Sequence, residues 1–147
     1  MRLTDHFTLD ELIHSETATR NGIDNEPHNE TIYENLEKLA EGLEHVRSLL
    51  GHPILISSGY RCLQLNNLLG SKPSSAHTEG LAADFICPSY GTPHQIIEAI
   101  VNSDIQYDQV IVEYGRWIHM SFASTMRRQN LIIDKEGTRL YGKEERS

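Results

Sequence analysis

Cysteine, basic residues and long apolar runs are all scarce in this chain of 147 residues, and each scarcity excludes something. No apolar run approaches the ~20 residues that span a bilayer, so stable membrane insertion is not expected. The opening segment, MRLTDHFTLDELIHS, mixes acids and His where a secretion signal needs an uninterrupted apolar stretch. The expectation is therefore a protein that is cytoplasmic at synthesis. Its two cysteines, Cys62 and Cys87, allow at most one bridge and are expected as free, buried thiols. Thirteen bases stand against 21 acids, a net charge of −8, which opposes the phosphate attraction that drives non-specific nucleic-acid binding. Repeats and low-complexity tracts are also absent. The length suits one compact core and leaves no room for two enzyme domains.

What is present is a series of local start and stop signals. Thr8-Leu-Asp-Glu11 reads as a capping box opening a short helix, with a turn at Thr19-Arg-Asn-Gly22. Thr31-Ile-Tyr-Glu34 reads as a second box, before a helical stripe of Ile32, Leu36, Leu39, Ala40, Leu43, Val46 and Leu50 that stops at Gly51. Ile54–Ser58 and Leu81–Ile86 read as strands, with a helix over Arg61–Leu69 and a loop over Ser71–Ala76 between them. Thr92-Pro-His-Gln95 is a third capping box, with Pro at the first helical position. Gln109–Tyr114 and Trp117–Phe122 read as a hairpin. From Thr125 onward only Leu131–Ile133 looks structured, and a solvated tail is expected there. The pattern predicts an α+β fold, a small antiparallel sheet with helices packed on one side. It forms a single domain over residues 1–124, with residues 125–147 as a C-terminal extension. Nothing demands more than a monomer.

Among eight His, His6, His14, His28, His45, His52 and His94 lie on polar stretches or helix flanks and read as solvated. His77 ends a Ser- and Pro-containing loop, and seven residues later Asp84 interrupts an apolar strand. A buried carboxylate needs a cation, a metal or several donors. In the hairpin, strand alternation puts Trp117, His119 and Ser121 on the face opposite Ile118, Met120 and Phe122. Two imidazoles and one carboxylate leave a fourth position open, as in catalytic zinc sites. The spacing also admits a plainer reading, in which Asp84 pairs with Arg61 and both His are merely packed.

Ser58-Gly-Tyr-Arg61, then Asn66 and Gly70, then Ser75-Ala-His-Thr-Glu-Gly-Leu-Ala-Ala-Asp84, and finally Glu113-Tyr-Gly-Arg-Trp-Ile-His119 resemble, in order and spacing, the zinc D-alanyl-D-alanine carboxypeptidase-like peptidases. More narrowly they look like the small cell-wall peptidases of that family found in phages and bacteria, and the likeness runs from about Leu3 to Phe122. The resemblance implies that His77, Asp84 and His119 bind zinc, that Arg61 contacts a substrate carbonyl or carboxylate, and that Ser75 lines the same cleft. It also implies a small antiparallel sheet with helices against it. Related peptidases often carry the catalytic acid three residues before the last His, and position 116 here is Arg.

Glu113 is the best replacement. A three-residue Gly115–Trp117 loop would pair Glu113 with His119 and put the two on one face, whereas a two-residue Gly115-Arg116 loop would turn Glu113 away. The zinc-binding signalling domain of hedgehog proteins, similar in fold, also carries a Glu six positions before its last His, which favours the first register. Asp108 is a weaker candidate and reads as a turn carboxylate. Trp117 reads as a cleft wall, and Ser121 has no assigned role.

The function this implies is zinc-dependent hydrolysis of peptide bonds in peptidoglycan stem peptides or cross-links, as in a phage lysin. The alternatives are a catalytically inactive, zinc-containing wall-binding or virion module, and a structural domain without metal. Peptidoglycan peptides are the expected partner. A cytoplasmic chain would reach them through a phage-made pore or inside a virion.

Overall fold

The computed structural model describes residues 1–142. Five α-helices, α1 (Leu9–Ile13), α2 (Glu16–Arg20), α3 (Glu30–Leu50), α4 (Leu63–Leu68) and α5 (Pro93–Val101), are interleaved with six strands. The capping boxes at Thr8 and Thr92 form with Glu11 and Gln95. The one at Thr31 does not. The Asn29 side chain accepts from Thr31 N and Ile32 N instead and starts α3 earlier, because Asn caps at least as well as Thr. Gly51, at φ 69°, ends the helix in the left-handed region as its position suggested. Helix α2, capped by Ser15, is an element the sequence reading lacked.

The strands β1 (Leu55–Ser58), β2 (Ala82–Ile86), β3 (Gln109–Glu113), β4 (Trp117–Ser121), β5 (Gln129–Asp134) and β6 (Gly137–Leu140) form one sheet in the order β1-β2-β4-β3-β5-β6. All pairs are antiparallel except β3 with β5. The sheet is thus mixed and larger than expected. Strand β4 ends beside Gln109, so the link 122–128 passes the start of β3 and lays β5 parallel along its far side. Residues after 125 carry two strands of this sheet where a tail was expected, while the last five, 143–147, lie outside the described residues. Asp134 Oδ1 accepts from Glu136 N at 2.9 Å and Gly137 sits at φ 115°, so an Asp-initiated turn closes the β5–β6 hairpin.

Helices α3 and α5 cover one face of the sheet. Leu36, Leu39, Leu43, Val46, Ile96, Ile97 and Ile100 bury against Ala83, Phe85, Val110, Val112, Ile118 and Met120; each large side chain removed from water contributes about 1.5–3 kcal/mol before entropy is counted. Gly42 is required where α3 meets Phe122, since a Cβ there would stand 2.3 Å from the ring. Cys87 is buried, Cys62 half-buried, and both are free. Among the described residues no helix is long and apolar enough to cross a membrane. The opposite face of the sheet carries Asp84, His119, Ile111, Glu113 and Trp117, and the polar chemistry gathers there.

Candidate metal centre

His77 sits in a 3-10 turn over Ala76–Glu79 whose cap is Ser75, with Ser75 Oγ accepting from His77 N at 3.2 Å. Gly80 reverses the chain at φ 75°, close under Leu36 and Ile32, where any Cβ would be both strained and crowded. The His77 ring is fixed from behind: Nδ1 lies 2.7 Å from Gly59 O. A carbonyl only accepts, so Nδ1 carries the proton and Nε2 presents its lone pair forward. Gly59 itself passes so near Leu12 O that a Cβ would lie 2.3 Å from it, and Tyr60 N donates to that same oxygen at 2.7 Å.

Asp84 and His119 are cross-strand partners on β2 and β4 and therefore share a face. His77 Nε2 lies 3.2 Å and His119 Nδ1 2.9 Å from one oxygen, Asp84 Oδ1. The rings stand 5.0 Å apart at 64°, and the three ligand atoms all fall within 4.8 Å of one another. Donors at 2.0–2.1 Å around a tetrahedral ion are separated by roughly 3.3 Å, close to both short contacts. Two imidazole nitrogens and a carboxylate oxygen drawn to one point is a donor set that fits zinc. Among the described residues this is the one such cluster of His, Cys, Asp or Glu.

The second carboxylate oxygen faces Arg61, with Nη2 to Oδ2 at 3.5 Å. The Asp84–Arg61 pairing of the plainer reading is thus present on one oxygen, while both imidazoles meet the other. Arg61 is held by Ser58 Oγ, which accepts from Nε at 3.2 Å, and by Ser71 Oγ, which accepts from Nη1 at 3.1 Å. Burial pushes the Asp84 carboxyl upward, but the His119 and His77 imidazoles set against it outweigh burial and hold the group well below the usual carboxylate range. Burial likewise lowers Arg61, and the negative charges of Asp84 and Glu113 pull it back.

Glu113 follows neither of the two registers considered for the hairpin. It pairs with Trp117, and Ile111 pairs with His119. Tyr114 and Gly115 take positive φ at 56° and 64°, and Arg116 N donates to Glu113 O at 3.0 Å. The loop is therefore Tyr114–Arg116, one residue earlier than the three-residue loop first considered, which moves the partner of Glu113 by two residues, from His119 to Trp117. A shift of two preserves strand parity, so Glu113 stays on the His119 face one pair further along. Its Oε1 accepts from Trp117 Nε1 at 2.8 Å.

The remaining residues singled out in the sequence divide plainly. The Ser75 hydroxyl is engaged as the cap of the His77 turn. Asp108 is forked to Arg127, at 2.7 and 2.9 Å, away from the cluster. Ser121 is buried on the His119 face with no hydrogen-bond partner for Oγ. His6 and His28 pair with Glu44 and Asp24. Several supports escaped sequence reasoning. Ser58 and Gly59 lie inside the Ser58–Arg61 segment, where their signal was visible but not their task. Asn25 donates to Ile13 O and Tyr60 O and accepts from Cys62 N, lashing the N-terminal segment to the Arg61 loop; nothing local marks it. Asn66, quoted in the sequence without a task, is fully buried and donates to Lys72 O at 2.9 Å, holding the loop that carries Ser71.

A family model described as Peptidase M15 matches residues 5–121. No curated protein matches the chain.

Proposed function

The chain belongs to the peptidase M15 family, a family of zinc metallopeptidases, and from that premise we propose that it hydrolyses peptide bonds in bacterial peptidoglycan stem peptides or cross-links. The observation that carries this reading is the convergence of His77 Nε2 and His119 Nδ1 on Asp84 Oδ1. Zinc held there supplies Lewis acidity and makes water acidic near neutral pH.

The protein groups divide the remaining work. Glu113 takes the proton of the attacking water on Oε2, since Oε1 is tied to the Trp117 indole. That tie also fixes the rotamer of the base. Arg61 spends donors on Ser58 and Ser71 and stands in ion-pair range of Asp84, and its remaining N–H groups steady the developing oxyanion or a substrate carboxylate. An arginine locked on three sides reorganises little during reaction, which is where electrostatic stabilisation is most effective. Release through a phage-made pore, or carriage in a virion, would bring such an enzyme to its wall substrate.

The test is mass spectrometry of purified peptidoglycan incubated with zinc-loaded protein. Stem-peptide fragments that disappear in Glu113→Ala support the reading and identify the bond. A second reading, an inactive wall-binding module, draws on Arg116 standing where related peptidases often carry an acid. Binding to peptidoglycan with no fragment released across a wide pH range would favour it.

A further inference from the structure

Beyond the metal centre, the tip of the β3–β4 hairpin and the β5–β6 turn enclose a groove of about 600 Å³ lined by Tyr114, Arg116, Trp117, Asp134, Lys135 and Glu136. That is ample for two or three residues of extended peptide. Trp117 joins this groove to the centre: it lies on the His119 face of β4, two residues or roughly 6.6 Å from it, and its indole N–H is bonded to Glu113.

Three features mark the groove as more than a gap between turns. Tyr114 holds φ at 56°, a conformation costly for a bulky residue and ordinarily filled by Asn or Gly at this point of a primed hairpin turn. The residue is nevertheless left 53% exposed, its ring tilted against Trp117 at 6.3 Å between centroids. A strained backbone presenting an exposed aromatic is poor design for stability alone. The charge is also uneven. Asp134 is neutralised by Arg139 at 3.0 Å, whereas the Arg116 side chain has no ion pair among the described residues. The two bases and two acids of the lining balance, but with Asp134 held by Arg139 the Arg116 guanidinium is left to meet a carboxylate brought by a ligand.

We propose that this groove is a substrate subsite for an acidic, extended peptide, with Tyr114 and Trp117 as its apolar wall and Arg116 and Lys135 pairing with a carboxylate two to three residues from the bond held at the centre. The inference rests on the peptidase reading given above. It predicts that a peptide too short to reach past Trp117 is a poor ligand, and that amidating the distal carboxylate weakens binding.

Trp117 is the single tryptophan of the chain, so its fluorescence reports on this groove without requiring turnover. The experiment titrates the intact protein with a γ-D-glutamyl-containing stem tripeptide and with its amidated form. A saturable change in emission is expected with the acid, with affinity at least about tenfold weaker for the amide and for Arg116→Ala, the factor typical of a lost charge-assisted contact. Tyr114→Asn separates function from structure: it should weaken binding while raising the melting temperature, because Asn relieves the positive φ. Equal affinity of acid and amide in wild type and Arg116→Ala overturns the proposal, as does a Tyr114→Asn variant that binds as tightly as wild type. Hydrolysis of peptidoglycan without any tripeptide response of Trp117 would sink the subsite and leave the peptidase standing. A Trp117 response without hydrolysis would do the reverse.

Discussion

On β2, Ala83 and Phe85 point into the helix-covered layer while Asp84, between them, points to the open face; on β4, Ile118 and Met120 flank His119 in the same way. The helix-covered face is held by many interchangeable apolar contacts, and the open face by a few that are not. Asp84 alone serves two imidazoles and a guanidinium. Damage to the first face should appear as lost stability. Damage to the second should appear as lost metal or lost rate.

The sharpest way to break that division is to exchange the symptoms. Asp84→Ala should abolish stoichiometric zinc, with affinity down by more than the ~10–100-fold typical of a supporting residue. Leu39→Ala should cost about 2–5 kcal/mol of stability yet leave the folded fraction fully loaded. Elemental analysis and denaturant titration on both variants check this, and a metal-free Leu39→Ala would erase the distinction between faces.

Next in size is Glu113→Gln, which keeps the acceptor for Trp117 Nε1 and removes the base. Hydrolysis should fall about 10²–10⁴-fold with zinc content unchanged; wild-type rates in this variant would remove Glu113 from the mechanism. Gly59→Ala tests whether the faces are as separate as they look. Its Cβ would collide with Leu12 O and displace the carbonyl that orients His77, so zinc affinity should fall about 10–100-fold, read by competition with a chromophoric chelator.

The smallest effect lies far from the centre. The hydrogen bond from Arg127, larger than the opposing burial, lowers the Asp108 pKa from its ordinary 3.8. A carboxylate with a depressed folded pKa contributes stability that is complete above the unfolded value and lost as pH falls through the folded one. Asp108→Asn should therefore melt slightly below wild type at pH 7, and the gap should close below about pH 3.8. A gap that persists in acid would assign the contribution to something other than charge.

Much of the site was legible because its signals are short. His77, Asp84, His119 and Arg61 stand out by an ionisable group in an apolar strand or by a compact segment around it, and the structure brings all four together. The hairpin was less legible. Its register depends on which residue accepts positive φ, and Tyr114 takes a place where sequence rules favour Asn or Gly. Strand β6 was missed and β5 showed only as the structured stretch Leu131–Ile133, because β5 is recruited by parallel pairing to β3, across a link of irregular chain, and no local pattern announces such a partner.

The amino-acid order by itself determined the helix ends at Thr8, Gly51 and Thr92, the alternation that separates Asp84 from Phe85, and the identity of the three metal-binding candidates. All of these act within about four residues, the reach of a cap or a strand pleat. Tertiary structure alone decided that Asp84 divides its two oxygens between imidazoles and guanidinium, that Gly59 orients His77, and that Glu113 lies on the His119 face paired with Trp117. Each of those joins segments distant in the chain, and distance along the chain carries no local preference for geometry until the sheet has closed.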